Sequence, residues 1–449
     1  MKTEYKSGRL SPPQLLFFGF IGVILLGTTL LMLPYSTTHG ITLTDALFTS
    51  TSAVCVTGLI VKNTPNDFTL FGKIVLLLLI QVGGLGYMSM ATLLALMAGR
   101  RIGISERILI KESMSIDTLE GVIRFMKAML IFVVFSESVG ALVLTLHFLK
   151  TSSPGDAVIT GVFHAVSAFN NAGFSLFPDS LEGFRTDYTV NITIMLLILL
   201  GGIGFVVMND LYRRLRKDTT RVMLHTRIAV ISSLLLVVCG ALLIYFSERN
   251  YLFAGPGSGT GDTIISALFA SVTARTAGFN TIDYSMLQPA TIFLTVMLMI
   301  IGASPGSTGG GIKTTTFAII VLHIWSTIRG RRDTVVFKRR IPATLISRSL
   351  VILAVSVIYV MVVTLIIIDL EHTGFQNTVF EVVSAFGTVG LSTGNGGALS
   401  LSAGFSGISK VIIIITMLAG RLGPLTLFMA LLRVREERVR YPEGRIMIG

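Results

Sequence analysis

Four glycines, Gly58, Gly173, Gly278 and Gly390, recur roughly 105 to 115 residues apart, and each closes a run of small, polar or β-branched residues. The runs read Val56-Thr57-Gly58, Asn171-Ala172-Gly173, Thr276-Ala277-Gly278 and Thr388-Val389-Gly390. No His-Glu-x-x-His pattern, pair of catalytic carboxylates or nucleophile–base pair accompanies them, so neither enzyme chemistry nor a bound cofactor is expected. What such runs offer is backbone. Carbonyl oxygens are hard ligands that replace the water of a dehydrating cation without placing fixed charge in a low-dielectric interior. For successive carbonyls to face one axis, the chain has to leave a helix abruptly, and glycine takes a positive φ without steric cost. Thr57, Ala172, Ala277 and Val389, just before the glycines, are small or β-branched and suited to pack behind the carbonyls. Four such runs in register surround a single axis, which is the layout of a cation filter. Because the four differ in sequence, the ring is only pseudo-fourfold. It also has fewer layers than a Thr-Val-Gly-Tyr-Gly filter, so a lower selectivity is expected.

The elements that position these runs follow from hydropathy. Each run ends a short amphipathic segment, too short to span a bilayer, between two long apolar stretches, and so reads as a re-entrant loop. With 52% hydrophobic and 13% charged residues in 449, an ordinary soluble domain is excluded. Apolar runs at Leu15–Leu33, Ile74–Ala98, Met129–Leu149, Ile192–Met208, Ile228–Phe246, Ile292–Ile301, Leu350–Ile368 and Val411–Leu432 give eight spanning candidates. The predicted fold is therefore an all-α membrane protein of four pseudo-repeats, each a span, a short helix with its filter loop, and a second span. The repeats divide as 1–112, 113–222, 223–342 and 343–449.

The net charge of +12 is uneven. Basic clusters at Arg100–Lys111, Arg213–Arg227, Arg329–Arg348 and Arg433–Arg445 alternate with connections carrying Asp45, Asp67, Asp156, Asp179, Glu182, Asp187, Asp262, Asp283, Asp369 and Glu371. The Lys/Arg bias predicts a multi-pass protein of the cell's inner membrane, in contact with the lipid bilayer, with both termini cytoplasmic and all four loops entering from outside. No aromatic-interleaved soluble scaffold accompanies the basic clusters, so no nucleic-acid partner is expected.

Each second span carries a small-residue cluster: Gly83-Gly84-Leu85-Gly86, Gly201-Gly202-Ile203-Gly204, the long break at 302–311, and Gly420-Arg421-Leu422-Gly423-Pro424. Glycine in a membrane helix either lets another backbone approach or marks unwound chain lining a cavity. Close packing is the expectation for the first two clusters. The third, Gly302-Ala303-Ser304-Pro305-Gly306-Ser307-Thr308-Gly309-Gly310-Gly311, holds too much glycine and proline for an unbroken helix.

The four glycine loops, Ser304 to Lys313, and Ala419-Gly420-Arg421-Leu422-Gly423-Pro424 together resemble the Trk, Ktr and HKT potassium transporter superfamily over nearly the whole chain. Asn170-Asn171-Ala172-Gly173-Phe174-Ser175 and the ending Arg440-Tyr441-Pro442-Glu443-Gly444 are most similar to the membrane subunit of bacterial Ktr systems. The resemblance implies a potassium filter built from the four glycine loops and an intramembrane gating loop at 302–313. It also implies a homodimer with one pore per protomer, seated on a cytosolic ring of regulatory subunits that bind the nucleotide. Potassium would be the transported ion, and sodium often stimulates uptake in this family. Relatives with serine at the first filter glycine favour sodium, so Gly58 implies potassium. Pro305 and the triple glycine 309–311 are closer to the Trk style of gating loop.

Several buried-charge candidates accompany this frame. Lys313 and Arg421 fall at membrane depth, where a cation costs about 2.5–3.5 kcal/mol on insertion scales and needs a reason to be there. Arg421 is read as a barrier or as a partner of loop carbonyls. Lys313 is read either as part of the gate or as snorkelling to the inner surface. Glu137 and Glu381 are intramembrane acids and so functional candidates by default, but a structural role is the expectation for each, a pore-helix glutamate such as Glu381 serving to hydrogen-bond neighbouring backbone. Arg275 is expected to brace an acidic side chain behind the third loop. Phe17, Phe18 and Phe20 are expected to face lipid. The competing reading is a sodium- or proton-coupled secondary carrier, which would show inverted repeats rather than parallel ones.

Overall fold

The apolar runs fold as helices of two lengths, and the difference follows from what each has to cross. The computed structural model describes residues 12–86, 122–217, 221–253, 259–394 and 399–431. The expected basic clusters at Arg100–Lys111 and Arg433–Arg445, the boundary near 112 and the second half of the run from Ile74 lie outside them.

Four long helices, Pro12–Leu31, Val122–Phe148, Leu224–Glu248 and Ala343–Glu371, have 20, 27, 25 and 29 residues. At 1.5 Å per residue they reach roughly 30 to 44 Å, enough for a hydrocarbon core of about 30 Å. Only 22 to 28% of their apolar windows is buried within the chain, so most of each surface faces outward. Phe18 is exposed in this way, but Phe20 packs inward, against the expectation for all three phenylalanines.

Each long helix precedes a shorter, buried one: Leu43–Val54, Pro154–Phe169, Thr260–Thr273 and Phe375–Gly387. With 12 to 16 residues these reach roughly 18 to 24 Å and cannot span the membrane. Polar side-chain caps fix the starts of the first two. Thr42 Oγ1 accepts from the Asp45 amide at 3.2 Å, and Ser153 Oγ accepts from the Asp156 amide at 3.3 Å ahead of Pro154. Phe48, Phe169, Phe269, Phe380 and Phe386, all on these helices, are among the largest fully buried side chains. The core therefore surrounds the short helices, and the long helices form its shell.

The chain then returns through Leu70–Leu85, Tyr188–Gly202, Pro289–Ile300 and Gly407–Leu422, and each of these inner helices stops at its small-residue cluster. Close packing alone does not describe the second cluster. Gly204 has φ +97°, and Phe205–Leu215 leaves at 97° to the helix before it. The two readings belong to different glycines of one cluster. A Cβ on Gly83, Gly201 or Gly420 would collide with the carbonyl oxygen of Val54, Phe169 or Phe386, so these glycines let the inner helix lie on the end of a short helix. Gly86, Gly204 and Gly423, each with positive φ, end the inner helix a few residues later. In the third case residues 301–313 are non-helical, and helix Thr314–Ile328 follows. The ends of this loop are tied together: the Gly302 amide donates to Ile312 O at 2.9 Å, and the Ile312 amide donates to Ile300 O at 3.2 Å.

Candidate functional site

The four glycines meet. A Cβ built on Gly58 would lie 2.6 Å from the carbonyl oxygen of Ala172, and one on Gly173 would lie 2.9 Å from that of Ala277. A Cβ on Gly278 would strike the Val389 carbonyl, and one on Gly390 the Thr57 carbonyl, which closes the circuit. Each glycine thus abuts the residue just before the next glycine, in the order 58, 173, 278, 390. Their φ angles are +91°, +70°, +78° and +95°. The short helices end three to five residues earlier, so the partial negative charge of four helix C-termini, each roughly half an elementary charge, converges on the ring.

Sequence reasoning missed a second left-handed position in each strand. Val56, Asn171, Thr276 and Thr388, two residues before the glycines, have φ of +50°, +58°, +76° and +50°. Three of these residues are β-branched, for which positive φ is a true outlier costing of order 1–3 kcal/mol each. Alternating the sign of φ turns successive carbonyls toward one side, which a uniformly extended strand does not do. The strain is held by hydroxyls on the short helices. Ser52 Oγ donates to Leu59 O at 2.8 Å and accepts from the Gly58 amide at 3.1 Å. Ser167 and Thr273 hydroxyls donate to Phe174 O and Phe279 O, and Ser384 Oγ accepts from the Gly390 amide. The signal was in the sequence: Ser52, Ser167 and Ser384 stand six residues before their glycines, while the third unit moves its hydroxyl to Thr273.

Directly beneath the ring lies the loop 302–313. The Gly310 amide donates to Thr388 Oγ1 at 2.9 Å, and a Cβ on Gly309 would strike Thr276 Oγ1. Ala303, Ser304, Thr308 and the glycines 309–311 are buried, while Pro305, Gly306 and Ser307 are half-buried. The loop is tied to its neighbours through backbone: Ser304 N to Gly202 O (3.0 Å), Phe205 N to Gly306 O (2.9 Å), Thr308 N to Gly201 O (3.3 Å) and Gly311 N to Gly420 O (3.3 Å). Arg421 reaches in from the fourth inner helix, donating to Thr308 O on the loop and to Gly83 O and Gly84 O on the first inner helix. Lys313 does not snorkel; its Nζ donates to Gly309 O at 2.7 Å.

Above the ring opens a cavity of about 400 Å³ that has all four glycines in its lining, together with Asp179, Glu182 and Asp283. The Glu182 carboxyl lies above its usual range, first because it is partly buried and then because Asp283 and Asp179 are near; a hydrogen bond from Asn280 opposes this.

Of the remaining candidates, Arg275 finds no carboxylate among the described residues. It donates to Ser233 O at 3.0 Å and to Ser233 Oγ at 3.1 Å, so the expected acidic partner is replaced by a long helix. Glu137 accepts from Asn170 Nδ2 at 3.0 Å and from Gln81 Nε2 at 3.2 Å, behind the second strand. Glu381 is fully buried and accepts from Ser392 and Ser402.

With this geometry in hand, the relatives are informative. A family model described as TrkH, cation transport protein, matches residues 17–437. The chain is 39% identical over 445 residues to Ktr system potassium uptake protein B of Bacillus subtilis, covering 98% of this chain and 97% of that one. It is 37% identical over 437 residues to the protein of the same name in Vibrio alginolyticus, covering 97% and 95%. Potassium/sodium uptake protein NtpJ of Enterococcus hirae is 38% identical over 455 residues, with 98% of each chain covered. Among solved structures, the potassium transporter TrkH from Vibrio parahaemolyticus superposes with a TM-score of 0.72 over 96% of this chain and 87% of that chain, at 20% identity, which is a likeness of fold.

Proposed function

We propose, for a chain that belongs to the TrkH family of cation transport proteins, that it is the membrane subunit of a potassium uptake system, conducting through one pore per chain. The observation that carries this reading is the closed circuit of glycine turns at the base of one outward cavity. Carbonyls turned toward the axis by alternating φ replace the ion's water. The four helix termini favour a cation over an anion, and the buried hydroxyl braces keep the ring from collapsing onto a smaller ion. The filter residues are Val56, Thr57, Gly58, Asn171, Ala172, Gly173, Thr276, Ala277, Gly278, Thr388, Val389 and Gly390. Four repeats, each a span, a short helix and a broken second span, give eight spans around this axis.

The loop 302–313 is the gate. Its four backbone bonds to neighbouring elements are worth about 0.5–1.5 kcal/mol each net, and the Arg421 bond to Thr308 O about 1.5–3 kcal/mol, so the closed position is held by several kcal/mol at most. A cytosolic partner that binds the open state better by that amount suffices to switch it. The named Ktr relatives are parts of systems, which supports such a partner, and a nucleotide would be bound there rather than on this chain. In this reading the chain works in the cell membrane as a homodimer with cytoplasmic termini; the name of the NtpJ relative, a potassium/sodium uptake protein, supports a link to sodium.

The test is potassium uptake by cells lacking their own uptake systems, with and without a co-expressed cytosolic partner. Uptake that saturates, prefers potassium to sodium and rises with the partner is expected. A fixed stoichiometry with sodium or protons in liposomes would instead assign the chain to the coupled carriers.

A further inference from the structure

We propose that His164 and Glu381 are positioning residues that set ion discrimination by bracing the outer rim of the ring in two halves; this rests on the reading of the ring as the filter. The two stand at the same register, each nine residues before the glycine of its own strand, on the second and fourth short helices. Both are fully buried, and each reaches the serine two residues beyond that glycine. His164 Nε2 lies 2.9 Å from Ser175 Oγ, and Ser392 Oγ donates to Glu381 Oε2 at 2.6 Å. The other two units have Thr49 and Phe269 at that register. Their strands are held instead by the loops of their neighbours. Ile60 exchanges bonds with Ser400, N to Oγ at 2.9 Å and O from N at 3.1 Å. Asn280 N donates to Ser180 Oγ at 3.2 Å, and Asn280 O accepts from Leu181 N at 2.9 Å.

The two sets connect. Glu381 also accepts from the Ser402 amide at 2.9 Å and from its hydroxyl, which fixes the loop that holds Ile60. Ser175 Oγ, whose proton goes to His164, accepts from the Phe177 amide at 3.0 Å, at the start of the loop that holds Asn280. One side chain therefore orders strands four and one, and the other orders strands two and three.

The chemistry of each brace is specific. Thr160 O, 2.8 Å from His164 Nδ1, can only accept, so Nδ1 carries the proton and Nε2 is the acceptor for Ser175 and for the Leu176 amide at 3.4 Å. Ser392 Oγ already accepts from the Gly394 and Leu401 amides, at 3.1 and 2.9 Å, and is left with one proton to donate. An acceptor-only carboxylate suits it. An amide nitrogen in its place would face an oxygen with no free lone pair, or the Ser402 N–H.

The experiment compares Glu381→Gln, Ser392→Ala, Ser175→Ala and the doubles Glu381→Gln/Ser392→Ala and Glu381→Gln/Ser175→Ala. Each is read as the ratio of half-saturating potassium to half-inhibiting sodium in uptake by the complete system, beside Gly58→Ser. Each single variant is expected to shift the ratio about fivefold. The first double should match Glu381→Gln alone, since both changes cut one path, and the second should multiply the two single effects. Should the brace variants lower uptake of both ions in parallel at an unchanged ratio while Gly58→Ser shifts it, the braces are ordinary packing and the proposal is overturned. Should Gly58→Ser also leave the ratio unchanged, the filter reading fails and takes this inference with it. The serine variants remove single oxygens, so a folding failure of Glu381→Gln leaves the outcome decidable.

Discussion

Gly58→Ser perturbs the ring at one point by a calculable amount. The new Cβ would stand 2.6 Å from Ala172 O, where ordinary contact begins near 3.4 Å, so that carbonyl or its neighbour has to move by about 0.8 Å. Ligand distances for different hard cations differ by only a few tenths of an ångström, so this exceeds the margin by which a carbonyl ring tells ions apart. The serine also inherits φ +91°, a conformation costing an L residue roughly 1–2 kcal/mol, which drives the strand to relax. If about 1.4 kcal/mol of that appears as a difference between the potassium- and sodium-occupied ring, discrimination falls about tenfold. The assay is potassium uptake in competition with sodium, with the melting temperature of the purified variant as a control on folding. An unchanged preference in folded protein would refute the assignment of Gly58 to the filter.

Other outcomes follow from the same geometry. Deleting several residues between Ala303 and Gly311 should raise potassium flux and reduce dependence on the cytosolic partner; a folded deletion that conducts less would make the loop scaffolding. Arg421→Ala removes donors to Thr308 O and Gly83 O and should raise basal flux about tenfold or more, while Arg421→Lys keeps the charge with fewer contacts and should fall between Ala and the parent. If both variants behave like the parent, the gate is not latched there. At the outer mouth, acidification should weaken apparent potassium affinity as pH falls through the Glu182 carboxyl's raised pKa, because protonation removes a charge facing the cavity. Glu182→Gln should flatten that pH dependence, and the effect should shrink at high ionic strength. A pH profile unaltered in Glu182→Gln would assign the titration elsewhere.

The glycines of the ring were legible because no other residue reaches positive φ freely, and the break at 302–311 because its composition forbids a helix. The second left-handed position was not legible. Val56, Thr276 and Thr388 are residue types that local propensity directs away from that conformation, and only bonds from the short helices hold them there. The bend at Gly204 was hidden for a related reason. Gly201 packs against a neighbouring backbone as an interfacial glycine should, and the sequence does not mark which glycine of a cluster ends the helix. The partner of Arg275 was misjudged because a buried cation suggests an anion, whereas a carbonyl and a hydroxyl of Ser233 receive two of its donors. The pairing of His164 with Ser175 needed three-dimensional register, since nothing in a lone histidine on an apolar helix indicates which end of a loop it holds.

The most direct test of the central claim is to locate the ion. Crystals of the assembled system grown with rubidium or thallium in place of potassium give anomalous density wherever the transported cation rests. The expected result is a peak on the axis of the four glycines, ringed by the carbonyls of Thr57, Ala172, Ala277 and Val389, which excess potassium displaces and excess sodium does not. Ordered protein with no peak at the ring, and a peak instead at the loop 302–313 or between the long helices, would contradict it.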